Sequence, residues 1–165
     1  SGSNSFNAAV VVDPNVSASQ LRVSHNNALG STAGGTTVAN LGQLQLNNVT
    51  VTGEALTLSS ASTNALISLS GTTNTWTGNV NFSAGTRSLN AEANSSLTIS
   101  GAITNGTGLS KQGSGTVALT ASNTITGTAA VVAGTLKLDR TGGEALASVT
   151  ALTVATNSTL LISQS

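Results

Sequence analysis

The feature that most constrains this chain is the brevity of its apolar runs. Pairs or triplets of Val, Leu and Ile alternate with Thr, Ser or Gln, then stop within a few residues. Examples are Val10–Val12, Leu21–Val23, Leu44–Leu46, Val49–Val51, Leu56–Leu58 and Ile67–Leu69. The series continues through Val80–Phe82, Leu97–Ile99, Val117–Leu119, Ala130–Val132, Leu136–Leu138, Leu152–Val154 and Leu160–Ile162. Between the runs stand Gly, Asn, Ser and Thr, which favour turns. Period-two alternation is the mark of a strand with one buried face, and no stretch keeps a helical period over three turns. Almost no helix is expected.

Composition narrows the class further. Ser, Thr, Asn and Gly make up more than half of the 165 residues, and only 6% are charged, against roughly 25% in ordinary domains. Such a chain could be disordered, but disordered chains are poor in apolar residues and rich in charge. Here 38% of the residues are hydrophobic, and they recur in alternation. Five basic and five acidic side chains give zero net charge, which leaves nothing to grip a nucleic-acid backbone. Phe6, Trp76 and Phe82 are too scattered to stack bases. No apolar run approaches the roughly 18 residues of a membrane helix. Absence of Cys excludes a disulfide framework and a thiolate metal site.

Each short strand must have its apolar face covered. A right-handed parallel β-helix does this by pairing each strand with its equivalent one coil away. Inward Val, Ile, Leu and Ala then stack on like side chains, and outward Thr, Ser and Asn meet water. A single Pro, Pro14, and few charges suit strands paired on both edges. Asn and Gly at the corners supply left-handed backbone. With three strands and roughly 20–23 residues per coil, the chain predicts about 7–8 coils and a rod of roughly 35 Å.

An internal repeat organises the sequence. Residues 3–10 align with 122–131, 18–23 with 133–138, 28–29 with 145–146, 38–40 with 154–156 and 43–46 with 159–162, at offsets between 115 and 119. Residues 1–165 are therefore expected to form one β-helix segment holding roughly 1.4 copies of a module near 116 residues. The copy boundary falls near residues 119–122, and the segment reads as part of a longer array. Asp13-Pro14-Asn15 interrupts the first copy, where a lengthened turn is expected.

Residues 106–138 read GTGLSKQGSGTVALTASNTITGTAAVVAGTLKL. This resembles the passenger-associated transport repeat of autotransporters, also called the autotransporter-associated β-strand repeat. Gly108, Leu109, Lys111, Gly113, Gly115, Thr116 and Leu119 fit its first half, and Asn123, Gly127, Val131, Gly134, Thr135 and Leu136 its second. The motif's aromatic position is held by Ile125, and by Phe6 in the earlier copy. The flanks, ALGSTAGGTTVA at 28–39 and SLTISGAI at 96–103 among them, resemble sequence that surrounds this repeat in large bacterial surface proteins. The resemblance implies a non-catalytic segment of a secreted surface protein, a stalk or adhesin, outside the bacterial cell, with signal and anchor elsewhere. It also implies partners: neighbouring repeats or copies of itself end to end, surface glycans, and host or bacterial surfaces. A self-assembling fibre subunit with end-to-end stacking is one alternative, and a glycan-processing β-helix enzyme is another.

No set of chemistry-bearing residues suggests catalysis, a cofactor or a metal. His25 lies alone beside Asn26 and Asn27, with no triad spacing around it, and reads as a solvated turn residue. Many β-helices act on glycans, which requires paired carboxylates. Only Asp139 and Glu144, flanking Arg140, are close in sequence, and they read as a solvent loop with a local ion pair. Arg22 and Lys137 occupy equivalent places in the two copies, as do Asn4 and Asn123. An outward solubilising position explains the first pair and a corner hydrogen bond the second. Asn48, Asn94, Asn105 and Asn157 match the glycosylation sequon, and such matches are expected by chance in so Thr-rich a chain.

Overall fold

The computed structural model describes residues 4–83, 85–140 and 145–163. Its elements are strands, and no helix occurs among the described residues. The first coil carries β1 (Val10–Val12) and β2 (Gln20–Val23). The second carries β3 (Thr36–Val38), β4 (Gln43–Leu46) and β5 (Thr50–Val51), and the third β6 (Leu56–Leu58), β7 (Leu66–Ser68) and β8 (Thr73–Trp76). Next come β9 (Val80–Phe82), β10 (Thr86–Ala91) and β11 (Ser96–Ile99), then β12 (Ile103–Thr104), β13 (Gly108–Gln112) and β14 (Thr116–Leu119). Two final coils hold β15 (Gly127–Val131) with β16 (Thr135–Asp139), and β17 (Val149–Val154) with β18 (Thr159–Ser163).

These strands build three parallel sheets, the faces of one β-helix. The first face stacks β1-β3-β6-β9-β12, the second β2-β4-β7-β10-β13-β15-β17, and the third β5-β8-β11-β14-β16-β18. Register on the second face runs Leu21↔Leu44↔Leu66↔Leu89↔Lys111↔Val131↔Val154, so successive coils take 23, 22, 23, 22, 20 and 23 residues. That is about six turns, or about 29 Å of rise at strand spacing. The seven strands of the second face mark seven coils, the first and last of them incomplete, and about six full turns separate the outermost two. Residues 4–9 precede the first strand, and residues 13–19 form the lengthened turn expected at Asp13-Pro14-Asn15.

The core is a set of inward columns one residue wide. On the third face Val51, Trp76, Ile99, Leu119 and Leu138 stack, each less than a tenth exposed. Trp76 is fully buried and donates its indole N–H to the Glu54 carbonyl at 2.9 Å. Its width is accommodated at a corner where Gly78 and Gly101 pass so close to neighbouring carbonyls that no Cβ fits. Corners elsewhere use left-handed backbone: Asn40, Asn48, Asn94, Asn105 and Asn157 have φ between 49° and 63°.

The repeat reappears in the pairing. β1 pairs with β3 and β2 with β4; in the later copy β15 pairs with β17 and β16 with β18. Leu21 lies opposite Leu44 just as Leu136 lies opposite Leu160. The two units nevertheless occupy different faces, the first and second in one case, the second and third in the other. The aligned strands of the two stretches therefore lie five coils and one face apart.

Candidate functional site

The transport-repeat residues occupy the last third of the rod. Gly108, Leu109 and Lys111 lie on β13, Gly113 and Gly115 in the turn that follows, Thr116 and Leu119 on β14. Gly127 opens β15 and Val131 closes it, with Gly134 in the next turn and Thr135 and Leu136 on β16. Leu109, Leu119, Val131 and Leu136 point inward and are buried, while Thr116 and Thr135 face outward.

Lys111 is the unexpected member. It holds an inward position between Leu89 below and Val131 above, and no part of it is exposed. Its ammonium has three protons and finds three carbonyls: Gln112 at 2.8 Å, Gly113 at 2.6 Å and Ala133 at 2.8 Å. Two belong to its own corner and the third to the corner one coil on. Burial pushes its pKa down from the usual 10.5 to about 8, so the group still carries its proton at neutral pH. The arrangement is a staple: a buried cation spanning two turns whose carbonyls point at it.

The glycines around it permit this approach. Gly113 (φ +74°) and Gly134 (φ +66°) are left-handed, and a Cβ on Gly113 would lie 2.2 Å from the Ala91 oxygen. One on Gly134 would lie 2.5 Å from the Gly113 oxygen. Successive corners are thus packed backbone on backbone, with carbonyls turned toward Lys111.

Asn123 performs a similar task without charge. It is buried, accepts from the Ile103 N–H at 2.8 Å through Oδ1, and donates from Nδ2 to Ala145 O at 2.8 Å and Ala121 O at 3.0 Å. One side chain therefore ties three coils. Its counterpart Asn4 donates to Ala28 O at 2.8 Å, and Ala28 aligns with Ala145, so the hydrogen bond repeats with the sequence.

Sequence reasoning missed two further polar ties. Arg87 lies at an inward position of β10, in register with Leu109, and donates to the carbonyls of Leu58 at 3.0 Å and Ser83 at 2.5 Å. Asn74 replaces an inward aliphatic on β8: its Oδ1 accepts from Val49 N at 2.9 Å, and its Nδ2 donates to Ser68 and Thr72 at 2.8 and 2.7 Å. The signal for Asn74 was available, since it keeps the inward parity of Trp76.

The residues weighed for chemistry are apart. His25 lies in a turn, where its Nδ1 accepts from the Asn27 N–H at 3.2 Å. Asp139 is not in a loop: it ends β16 and pairs with Lys137 at 2.6 Å on the outward side of the strand. Glu144 lies outside the described residues. Arg22 faces outward and donates to Gln45 Oε1 at 3.2 Å. Glu54 is buried in the turn after β5, accepting from the Thr36 hydroxyl at 2.8 Å. Among the described residues no three His, Cys, Asp or Glu side chains gather as a metal site.

No known protein family, no curated protein and no solved structure matches the chain. The likeness to the transport repeat therefore rests on the residues named above.

Proposed function

We propose that the chain is a non-catalytic structural segment of a secreted bacterial surface protein, a passenger stalk or adhesin of autotransporter type. The observation that carries this reading is the use to which the repeat residues are put. Lys111, Gly113 and Gly134 join one coil to the next, and Asn123 joins three. Residues spent on coil-to-coil continuity serve a structure whose output is length and surface. The neutral exterior of Thr, Ser and Asn suits a protein displayed outside a cell, where partners are neighbouring repeats, glycans or other surfaces. The test is the reading frame that encodes the chain, together with labelling of intact cells that produce it. A surface anchor or outer-membrane translocator in the frame, and antibody access without lysis, are expected. A frame without any export or anchoring segment, and label only after lysis, overturn the reading.

One observation favours a second reading, end-to-end assembly. On the last rung the inward residues Leu152, Val154 and Ile162 are 40%, 46% and 57% exposed, whereas Ala129 and Val131 one rung earlier are buried. Leu152 and Ile162, with Leu138, Ala145 and Leu146, line an open apolar cleft. Another rung laid on β17 and β18 would close it, as β15 and β16 are closed. Following residues of a longer chain, or a second copy of it, can supply that rung. Concentration-dependent fibres under the electron microscope support this reading, and monomers that persist at high concentration refute it.

A further inference from the structure

The third face carries a regular two-dimensional array of hydroxyls. On β8 and just beyond it, the outward positions are Thr73, Thr75 and Thr77; on β11 they are Ser96, Thr98 and Ser100. β5 contributes Thr50 with Thr52 after it, and β14 contributes Thr116 and Thr120, with Ala118 between. Ladder hydrogen bonds continue past the strand ends, from Thr77 N to Val51 O at 3.0 Å, Ser100 N to Trp76 O at 2.9 Å and Thr120 N to Ile99 O at 3.1 Å. The third column is therefore as well registered as the other two. The first column runs on through Thr135 and Thr159.

Spacing follows from strand geometry: about 4.8 Å between rungs and about 6.7 Å between columns two residues apart. Thr is stiff at χ1, so the Thr hydroxyls of the array, all but those of Ser96 and Ser100, are held with little freedom to lose. Among the described residues only the Thr77 hydroxyl of this four-rung array has a partner, accepting from Gly53 N at 2.9 Å. The other hydroxyls are offered to solvent. No charge interrupts the four rungs; Lys137 and Asp139, paired at 2.6 Å, occupy the second and third columns only at β16.

The other faces differ. On the second, one outward column runs Arg22, Gln45, Ile67, Asn90, Gln112, mixing charge, amide and aliphatic. The first offers one column, Val11, Thr37, Thr57, Asn81, Thr104. Strand propensity favours Thr on every face, yet the array is confined to one.

We propose that the third face binds the surface of an ice crystal. A lattice of water presents donors and acceptors at fixed spacing in two dimensions, which liquid water does not. A rigid two-dimensional array of free hydroxyls and methyls at regular spacing can hold water in such an order at small entropic cost. The face offers no aromatic ring on which a sugar could stack, because Trp76 points into the core.

The test uses the purified chain in ice-recrystallisation and crystal-shaping assays. Thr98→Lys lies at the centre of the array, and Thr57→Lys on the first face is the control; Trp76 fluorescence verifies that both fold. The expected result is faceted ice crystals and suppressed recrystallisation with the native chain and Thr57→Lys, and loss of both effects with Thr98→Lys. Ice growth identical to buffer overturns the proposal, as does an equal effect of the two variants. Binding to crystalline cellulose or chitin with no effect on ice also overturns it and assigns the array to a sugar lattice.

Discussion

The Nζ of Lys111 donates to the carbonyl of Ala133, 22 residues later and one coil along the axis, at 2.8 Å. A charge that would ordinarily sit on the surface is thus the joint between two corners. Replacing it by Met keeps the bulk and removes the donor, leaving the carbonyls of Gln112, Gly113 and Ala133 to face a thioether. Lys111→Met is expected to cost about 3 kcal/mol, the range for removing a charged donor from buried acceptors, read as a lower urea midpoint.

The same lysine sets an alkaline signature. Its pKa is about 8 when folded, below the usual 10.5, so the folded chain binds fewer protons than the unfolded chain between those values. Stability must then rise as pH increases from about 8 to about 10.5, and level off above. The chain has no Tyr and no Cys to titrate in that window. Urea melts across it should slope upward for the native chain, and the slope should vanish in Lys111→Met.

Two left-handed glycines separate conformation from crowding. Gly71 has φ +71° and open space where a Cβ would go, whereas Gly113 has φ +74° and oxygens at 2.1 and 2.2 Å. Gly71→Ala should cost about 1 kcal/mol, for the left-handed backbone alone. Gly113→Ala adds overpacking of a rigid corner and should cost about 3 kcal/mol. Thermal midpoints of the two variants provide the comparison.

Asn123 and Asn4 hold equivalent places with unequal burial. Asn123→Ala strands the Ile103 N–H in the interior, leaves the Ala145 carbonyl with the Asn123 backbone N–H alone, and should cost about 2 kcal/mol. Asn4→Ala exposes its carbonyl partner to water and should cost less than about 1 kcal/mol. Equal losses in denaturation experiments would show that the buried ties are not the source of Asn123's contribution.

Much of the fold was legible because most inward columns are aliphatic. Runs such as Leu44–Leu46 and Leu97–Ile99 declare their parity directly, and they are β4 and β11. The strands that escaped notice are β3, β8, β10, β12 and β13. β8 hides Asn74 on its inward side, β10 hides Arg87, β13 hides Lys111 and β3 hides Thr36. Each is satisfied by a backbone or side-chain group in another coil, and a partner some 20 residues away leaves no local trace. Four sequon asparagines have a structural origin as well: Asn48, Asn94, Asn105 and Asn157 are left-handed corners, and three of them stand two residues before an outward Thr or Ser that starts a strand. The motif lysine was visible as a motif residue, but its inward direction was not.

The axial stack itself can be measured directly. Thr50, Thr75, Thr98, Ala118, Lys137 and Leu161 form one column over five inter-rung steps. The chain lacks Cys, so Thr50→Cys with Leu161→Cys gives a unique pair for spin labels and dipolar distance measurement. Five steps of about 4.8 Å place the two backbone positions about 24 Å apart, and moving the second label to Lys137→Cys should shorten the distance by one step. A narrow distribution at those values is the predicted result. A broad distribution near the roughly 60 Å of an unstacked chain of that length, or a distance unchanged between the two pairs, would contradict the stacked-coil account.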